Sequence, residues 1–203
     1  LHEKKTDGDK FWGIFTPDLV NQLNRQIILC RCNRPLNTLR RILVAVPSRV
    51  EFEQGFYRWI ERLARLAENL SCRIIFHGRI ESTSLINEYI RNQHPGVRAE
   101  YVLMEHWKEF TQLAQQMSSD HMLVVISARQ GTVSYKPVFE RLPLELYRHY
   151  HEHNLMVVFP DQNGQSPEDM TFTAPQHHSV DSAYSSIVNW VMNKIDKGRS
   201  DAS

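Results

Sequence analysis

Residues Arg41 to Leu70 constrain the fold more than any other stretch of the chain. Ile42-Leu43-Val44-Ala45-Val46 is a short, wholly apolar run, as expected of a strand buried on both faces of a parallel sheet. It stops at Pro47-Ser48. A long helix is expected to follow, because Phe52, Phe56, Trp59, Ile60, Leu63, Ala67 and Leu70 recur at steps of three and four. A strand feeding straight into a helix builds the first βα turn of a doubly wound fold, where such folds hold phosphates or charged ligands. The turn Pro47-Ser48-Arg49-Val50-Glu51 has no glycine and no acidic residue at the strand end. The scaffold suits a nucleotide, but the chemistry for one is missing.

The alternation continues downstream. Arg73 to Gly78 reads as a second strand stopped by glycine, and Leu85, Ile86, Tyr89 and Ile90 stripe a short helix closed near His94-Pro95-Gly96. Val97 to Met104 reads as a third strand. Trp107, Phe110, Ala114 and Met117 mark a third helix, and His121 to Ser127 a fourth, apolar strand. After a loop from Ala128 to Arg141, Pro143 opens a fourth helix with Leu142, Leu146, Tyr147 and Tyr150 on its inner side. Leu155 to Phe159 is a fifth strand ended by Pro160. Five strands alternating with four helices predict an α/β fold: a three-layer α/β/α sandwich around a five-stranded, mainly parallel sheet spanning residues 38–160.

The flanks carry their own signals. Residues 1–10 and 199–203 read as disordered. Phe15-Thr16-Pro17-Asp18-Leu19 is a helix start and Gln26 to Cys30 a short strand. That helix–strand order echoes Leu142 to Leu146 followed by Leu155 to Phe159. Either the echo is coincidence, or residues 11–37 hold the tail of an upstream copy of the same unit and a linker. Residues 161–178 form a long polar connection, which includes His177-His178. In the segment 179–198 Val180, Tyr184, Ile187, Val191 and Ile195 predict a C-terminal helix.

Composition narrows the functional classes. The chain has 203 residues and a net charge of +1, with both signs interspersed, so it carries no broad electrostatic footprint for nucleic acid. Three cysteines in a domain this large point to reduced thiols in a cytosolic setting, and Cys30-x-Cys32 has the wrong spacing for a C-x-x-C redox centre, so it reads as packing. No apolar run approaches the ~18 residues needed to span a bilayer, and no signal peptide is visible. The chain begins at Leu1, which leads us to expect a soluble piece of something longer.

The ligand crevice of such a sheet lies where the strand order reverses, between the ends of the first and fourth strands. That places Pro47, Ser48 and Arg49 opposite Ser127, Arg129, Gln130, Gly131 and Thr132. Two arginines, hydroxyls and backbone N–H groups could grip an anion there, or the residues form an ordinary pair of solvated loops. His149, His151 and His153 suggest a metal site, with His149 and His153 on one helix face, but they lie near that helix's C-terminus, where the dipole favours histidine. The sequence contains no nucleophile elbow, paired-carboxylate arrangement or phosphate loop. We therefore expect no catalysis, no metal and no cofactor.

The strand–helix pattern of residues 41–160 resembles the universal stress protein fold. That resemblance implies a strand order 3-2-1-4-5, counted from Ile42–Val46. Members that bind ATP usually carry an aspartate at the end of the first strand and a loop of the form G-x2-G-x9-G-[ST] after the fourth. Here Pro47 takes the aspartate's place, and Ser127-Ala128-Arg129-Gln130-Gly131-Thr132-Val133-Ser134-Tyr135 holds a single glycine. A second resemblance is narrower. Arg34 to Ile42, Val46-Pro47 and Glu51 to Trp59 look like the cytoplasmic C-terminal region of bacterial sodium(cation)/proton antiporters, in which a membrane transporter precedes tandem stress-protein-like domains. It implies a non-catalytic regulatory or assembly domain at the cytoplasmic face of the inner membrane. Its partners would be the transmembrane domain of the same polypeptide and, through an edge strand, a second copy. The alternative is a free-standing universal stress protein that binds a nucleotide or another small anion.

Overall fold

The computed structural model describes residue 20 and residues 23–162. The expectations for the N-terminal tail and helix start, the connection from residue 163 onward, His177-His178 and the C-terminal helix lie outside the described residues. Within them the chain is an α/β fold with a mixed sheet of six strands. In chain order these are β1 (Ile27–Arg31), β2 (Arg41–Ala45), β3 (Arg73–Gly78), β4 (Ala99–Leu103), β5 (His121–Ile126) and β6 (Asn154–Phe159). Three α-helices accompany them: α1 (Phe56–Asn69), α2 (Ile80–Gln93) and α3 (Leu142–Tyr150).

The spatial order is β1-β6-β5-β2-β3-β4. The pairs β2–β3, β2–β5, β3–β4 and β5–β6 are parallel. β1 runs antiparallel to β6, in a register from Ile27 opposite Phe159 to Arg31 opposite Leu155. An apolar strand ending a sheet invites a partner, and β1 supplies one from the same chain.

Alternating residues of the central strands feed two cores. Ile42, Val44 and Val46 of β2 and its extension meet Phe56, Trp59, Ile60 and Leu63 of α1 and Ile86 and Ile90 of α2. Leu43 and Ala45 point the other way, toward Phe110, Leu113 and the α3 residues Leu142, Leu146 and Tyr150. This period of two, with both faces covered, is why β2 and β5 read as continuous apolar runs.

Several details differ from the sequence expectation. The first helix starts at Phe56, after a 3-10 turn at Val50–Phe52, so Val50 is buried while Phe52 is 62% exposed. The third helical segment, Trp107–Gln116, is a 3-10 helix. Trp107, Phe110 and Leu113 recur at steps of three, the period at which a 3-10 helix stacks one side. Its first turn is closed by a reciprocal cap between His106 and Glu109. Tyr147 lies on the outer side of α3, and the third strand is confined to Ala99–Leu103. Cys30 and Cys32 are exposed thiols rather than packed ones, because β1 is an edge strand; Cys72 is buried.

Candidate functional site

β2 lies between β3 and β5, so connections leave it in both directions and the switch point opens at the carboxyl ends of β2 and β5. The loops after these strands do meet there, but through the chain's own side chains. Glu53, only 6% exposed, follows the 3-10 turn after β2 and reaches across to the loop after β5. Its Oε1 accepts hydrogen bonds from the Ser134 backbone N–H at 2.9 Å and from Ser134 Oγ at 2.6 Å. Its Oε2 accepts one from Gln162 Nε2 at 3.1 Å. A buried carboxylate thus occupies the backbone N–H and hydroxyl that a bound anion would use.

Two further contacts close the crevice. Gly55 lies against the segment leaving β6: a Cβ there would sit 2.4 Å from the Asp161 nitrogen and 2.8 Å from its oxygen, so only glycine permits the approach. Asp161 itself is buried and ion-paired with Arg58 of α1. Arg129, 7% exposed, is turned inward. Its Nε donates to the Val20 carbonyl at 2.9 Å, Nη1 to Pro160 at 2.5 Å and Nη2 to Arg25 at 2.7 Å. The guanidinium also lies 5.8 Å from the centre of the Phe159 ring. Burial pushes its pKa down, opposed by the nearby carboxylates of Asp161 and Glu53.

The other residues singled out from the sequence sit around this cluster. Pro47 is buried, Ser48 half-buried and Arg49 exposed in a left-handed conformation with φ 68°. Ser127 is buried and its N–H donates to Val158 at 2.8 Å, continuing the β5–β6 ladder. Gln130 is exposed, directed at Tyr135 and Glu140. Gly131 has φ 85° with open space where a side chain would stand, and the Thr132 hydroxyl donates to the Arg129 carbonyl at 2.9 Å. At the rim, burial, helped by the charges of Arg79 and Arg49, pushes the Lys136 ammonium down. Arg79 shares its charge with Glu105 at 3.3 Å.

Sequence reasoning set the loops after β2 and β5 opposite each other but did not include Glu53, Gly55, Asp161 or Gln162. The Glu53-Gln54-Gly55 triplet directly after the first βα turn was the available signal: an acid followed by the one residue that allows close backbone approach.

A second polar cluster joins α1 to α2 and its C-terminal cap. Glu61 Oε2 is 2.5 Å from His94 Nε2 and accepts from the Tyr89 hydroxyl at 2.9 Å, while Oε1 accepts from Arg65 Nε at 2.5 Å. The His94 hydrogen bond is the main cause that holds the Glu61 carboxyl below its ordinary value, at about 2, with Arg65 and Tyr89 helping against its partial burial. Next to His94 a cavity of about 250 Å³ opens between α2 and β4. Among the described residues no group of three or more potential metal ligands is gathered, and no helix is long and apolar enough to cross a membrane. Neither a scan against protein-family models nor a search of curated proteins finds a match for this chain.

Proposed function

We propose that this chain is a universal stress protein-like regulatory or assembly domain of a membrane sodium(cation)/proton antiporter, without turnover of its own, in which the nucleotide crevice has become structural. The observation that carries the loss of the crevice is Glu53 bonded to the Ser134 N–H and hydroxyl, with Arg129 committed to three carbonyls. An incoming phosphate would have to displace a buried carboxylate and would find Arg129 already engaged. The stress-protein kinship is supported by the parallel strands β4-β3-β2-β5-β6, an arrangement equivalent to the expected 3-2-1-4-5. The antiporter origin rests on the resemblance of Arg34 to Ile42 and Glu51 to Trp59. In this reading the domain lies at the cytoplasmic face of the inner membrane and acts on the transmembrane domain of its own polypeptide. Regulation then requires a contact that favours one transporter state over the other. Self-association would use the sheet edge that β1 now forms.

Two measurements test the two halves. Calorimetric titration with ATP, ADP and AMP is expected to give no affinity tighter than about millimolar, roughly −4 kcal/mol. Micromolar binding would restore a working nucleotide site. For the antiporter half, the gene's reading frame upstream of Leu1 is expected to encode a run of membrane-spanning helices; a start codon near Leu1 would sink it.

A further inference from the structure

β4 ends the sheet on the side opposite β1, and among the described residues no strand pairs with its outer edge. The Arg98 carbonyl and the Met104 N–H both bond to β3. By the two-residue period of a strand, the N–H and C=O groups of Tyr101 and Leu103 therefore point outward. No described residue bonds to them. Leu103 is 59% exposed and Val102 43% exposed, and the strand has no proline, lysine or arginine to discourage pairing.

Beside this edge lies the cavity between α2 and β4, about 250 Å³, with Asn87, Ile90, Arg91, His94, Val97 and Tyr101 among its walls. Its size suits one or two medium apolar side chains. Ile90 gives it an apolar wall, and Tyr101 is braced by stacking on Phe76 with ring centres 5.7 Å apart. His94 is held in place by Glu61. Arg91 is exposed and, among the described residues, has no hydrogen-bond or ion-pair partner.

These observations select one kind of occupant. A row of outward backbone donors and acceptors is complemented by another extended backbone, a cavity beside it by a side chain on that backbone, and an unpaired guanidinium by a carboxylate. We propose that the β4 edge and the α2–β4 cavity form a peptide-docking groove. It takes an extended segment that adds a strand to the sheet, places an apolar side chain beside Ile90 and Tyr101, and sets an acidic group against Arg91.

Selection of a random-peptide phage library on the protein, followed by fluorescence anisotropy with the enriched peptides made synthetically, tests this. The expected peptides are extended, with an apolar residue near an acidic one. Arg91→Glu reverses a charge that, among the described residues, supports no hydrogen bond or ion pair, and is expected to weaken them at least about tenfold. Leu103→Pro removes one outward N–H while leaving the inward ladder to β3 intact, and is expected to abolish binding. Circular dichroism confirms that each variant is folded; if Leu103→Pro is not, the Arg91→Glu comparison decides alone. Failure to enrich any peptide overturns the proposal, as do peptides that bind Arg91→Glu as tightly as the unmodified protein. Sedimentation showing a dimer that Leu103→Pro dissolves also overturns it, by giving the edge to a second copy.

Discussion

The crevice cluster and the Glu61 cluster use the same chemistry in opposite ways. Each holds carboxylates beside arginine. In the crevice the partners are backbone groups and residues far apart in sequence: Glu53 with Ser134, and Arg129 with Val20, Arg25 and Pro160. Around Glu61 the partners are side chains of α1, α2 and the residue capping α2, with Arg65 one helical turn from Glu61 and half exposed. Backbone partners have nowhere to relax when one is removed; of the Glu61 partners the half-exposed Arg65 does, while His94 is buried. The contrast separates polar groups tied to the backbone from polar groups tied to one another's side chains.

The sharpest way to break this contrast is Arg129→Ala. Three carbonyls would lose their donor in a buried site, and a loss of about 3–5 kcal/mol is expected in urea titration. A loss below about 1 kcal/mol would put this arginine on the solvent side and revive it as a ligand group. Next comes Glu53→Gln, which keeps the shape but removes the charge from the Ser134 contact, with an expected cost of about 1–3 kcal/mol.

The Glu61 cluster is tested by pH. Its carboxyl is held at about 2, below its ordinary 4.5, so the folded form binds the proton less readily than the unfolded chain. The resulting stability is fully present above about pH 4.5 and is lost as pH falls toward 2. Thermal melts between pH 5 and 2 are expected to be less steeply acid-dependent in Glu61→Gln. Equal slopes would mean that the His94 contact does not persist in solution. The smallest effect is expected from Arg49→Ala, within about 0.5 kcal/mol, since this exposed side chain has no partner among the described residues. A larger change would show that the rim of the crevice also supports the fold.

The parts legible in the sequence were those dictated by burial. Ile42–Val46, Met122–Ile126 and Leu155–Phe159 are apolar on both strand faces because both faces are covered, and Trp59, Ile60 and Leu63 mark one side of a helix for the same reason. Boundaries set by local turn chemistry were harder. The first helix starts without a side-chain cap, after Gly55, and nothing in the spacing of Phe52 distinguishes a buried helical residue from an exposed turn residue. The role of Arg129 was hidden for a more basic reason. A guanidinium in a loop beside a ligand crevice looks identical whether its donors meet a phosphate or three carbonyls, and one of those carbonyls belongs to Val20, more than a hundred residues away.

The pairing of β1 with β6 also has a kinetic consequence. It joins Ile27 to Phe159 across nearly the whole described chain, whereas β2 and β3 meet over a much shorter separation. Closing a loop of roughly 130 residues costs about 4 kcal/mol in chain entropy before any contact repays it. β1 is therefore expected to dock last, onto a sheet already formed, and to detach first, with its amides exchanging faster than those of β5. Because Arg129 grips the carbonyls of Val20 and Arg25 just upstream, that detachment also requires its release. A molecule caught in that state bares the apolar edge of β6, and the strand whose sequence fits it best is the β1 of another copy, the exchange from which swapped dimers arise.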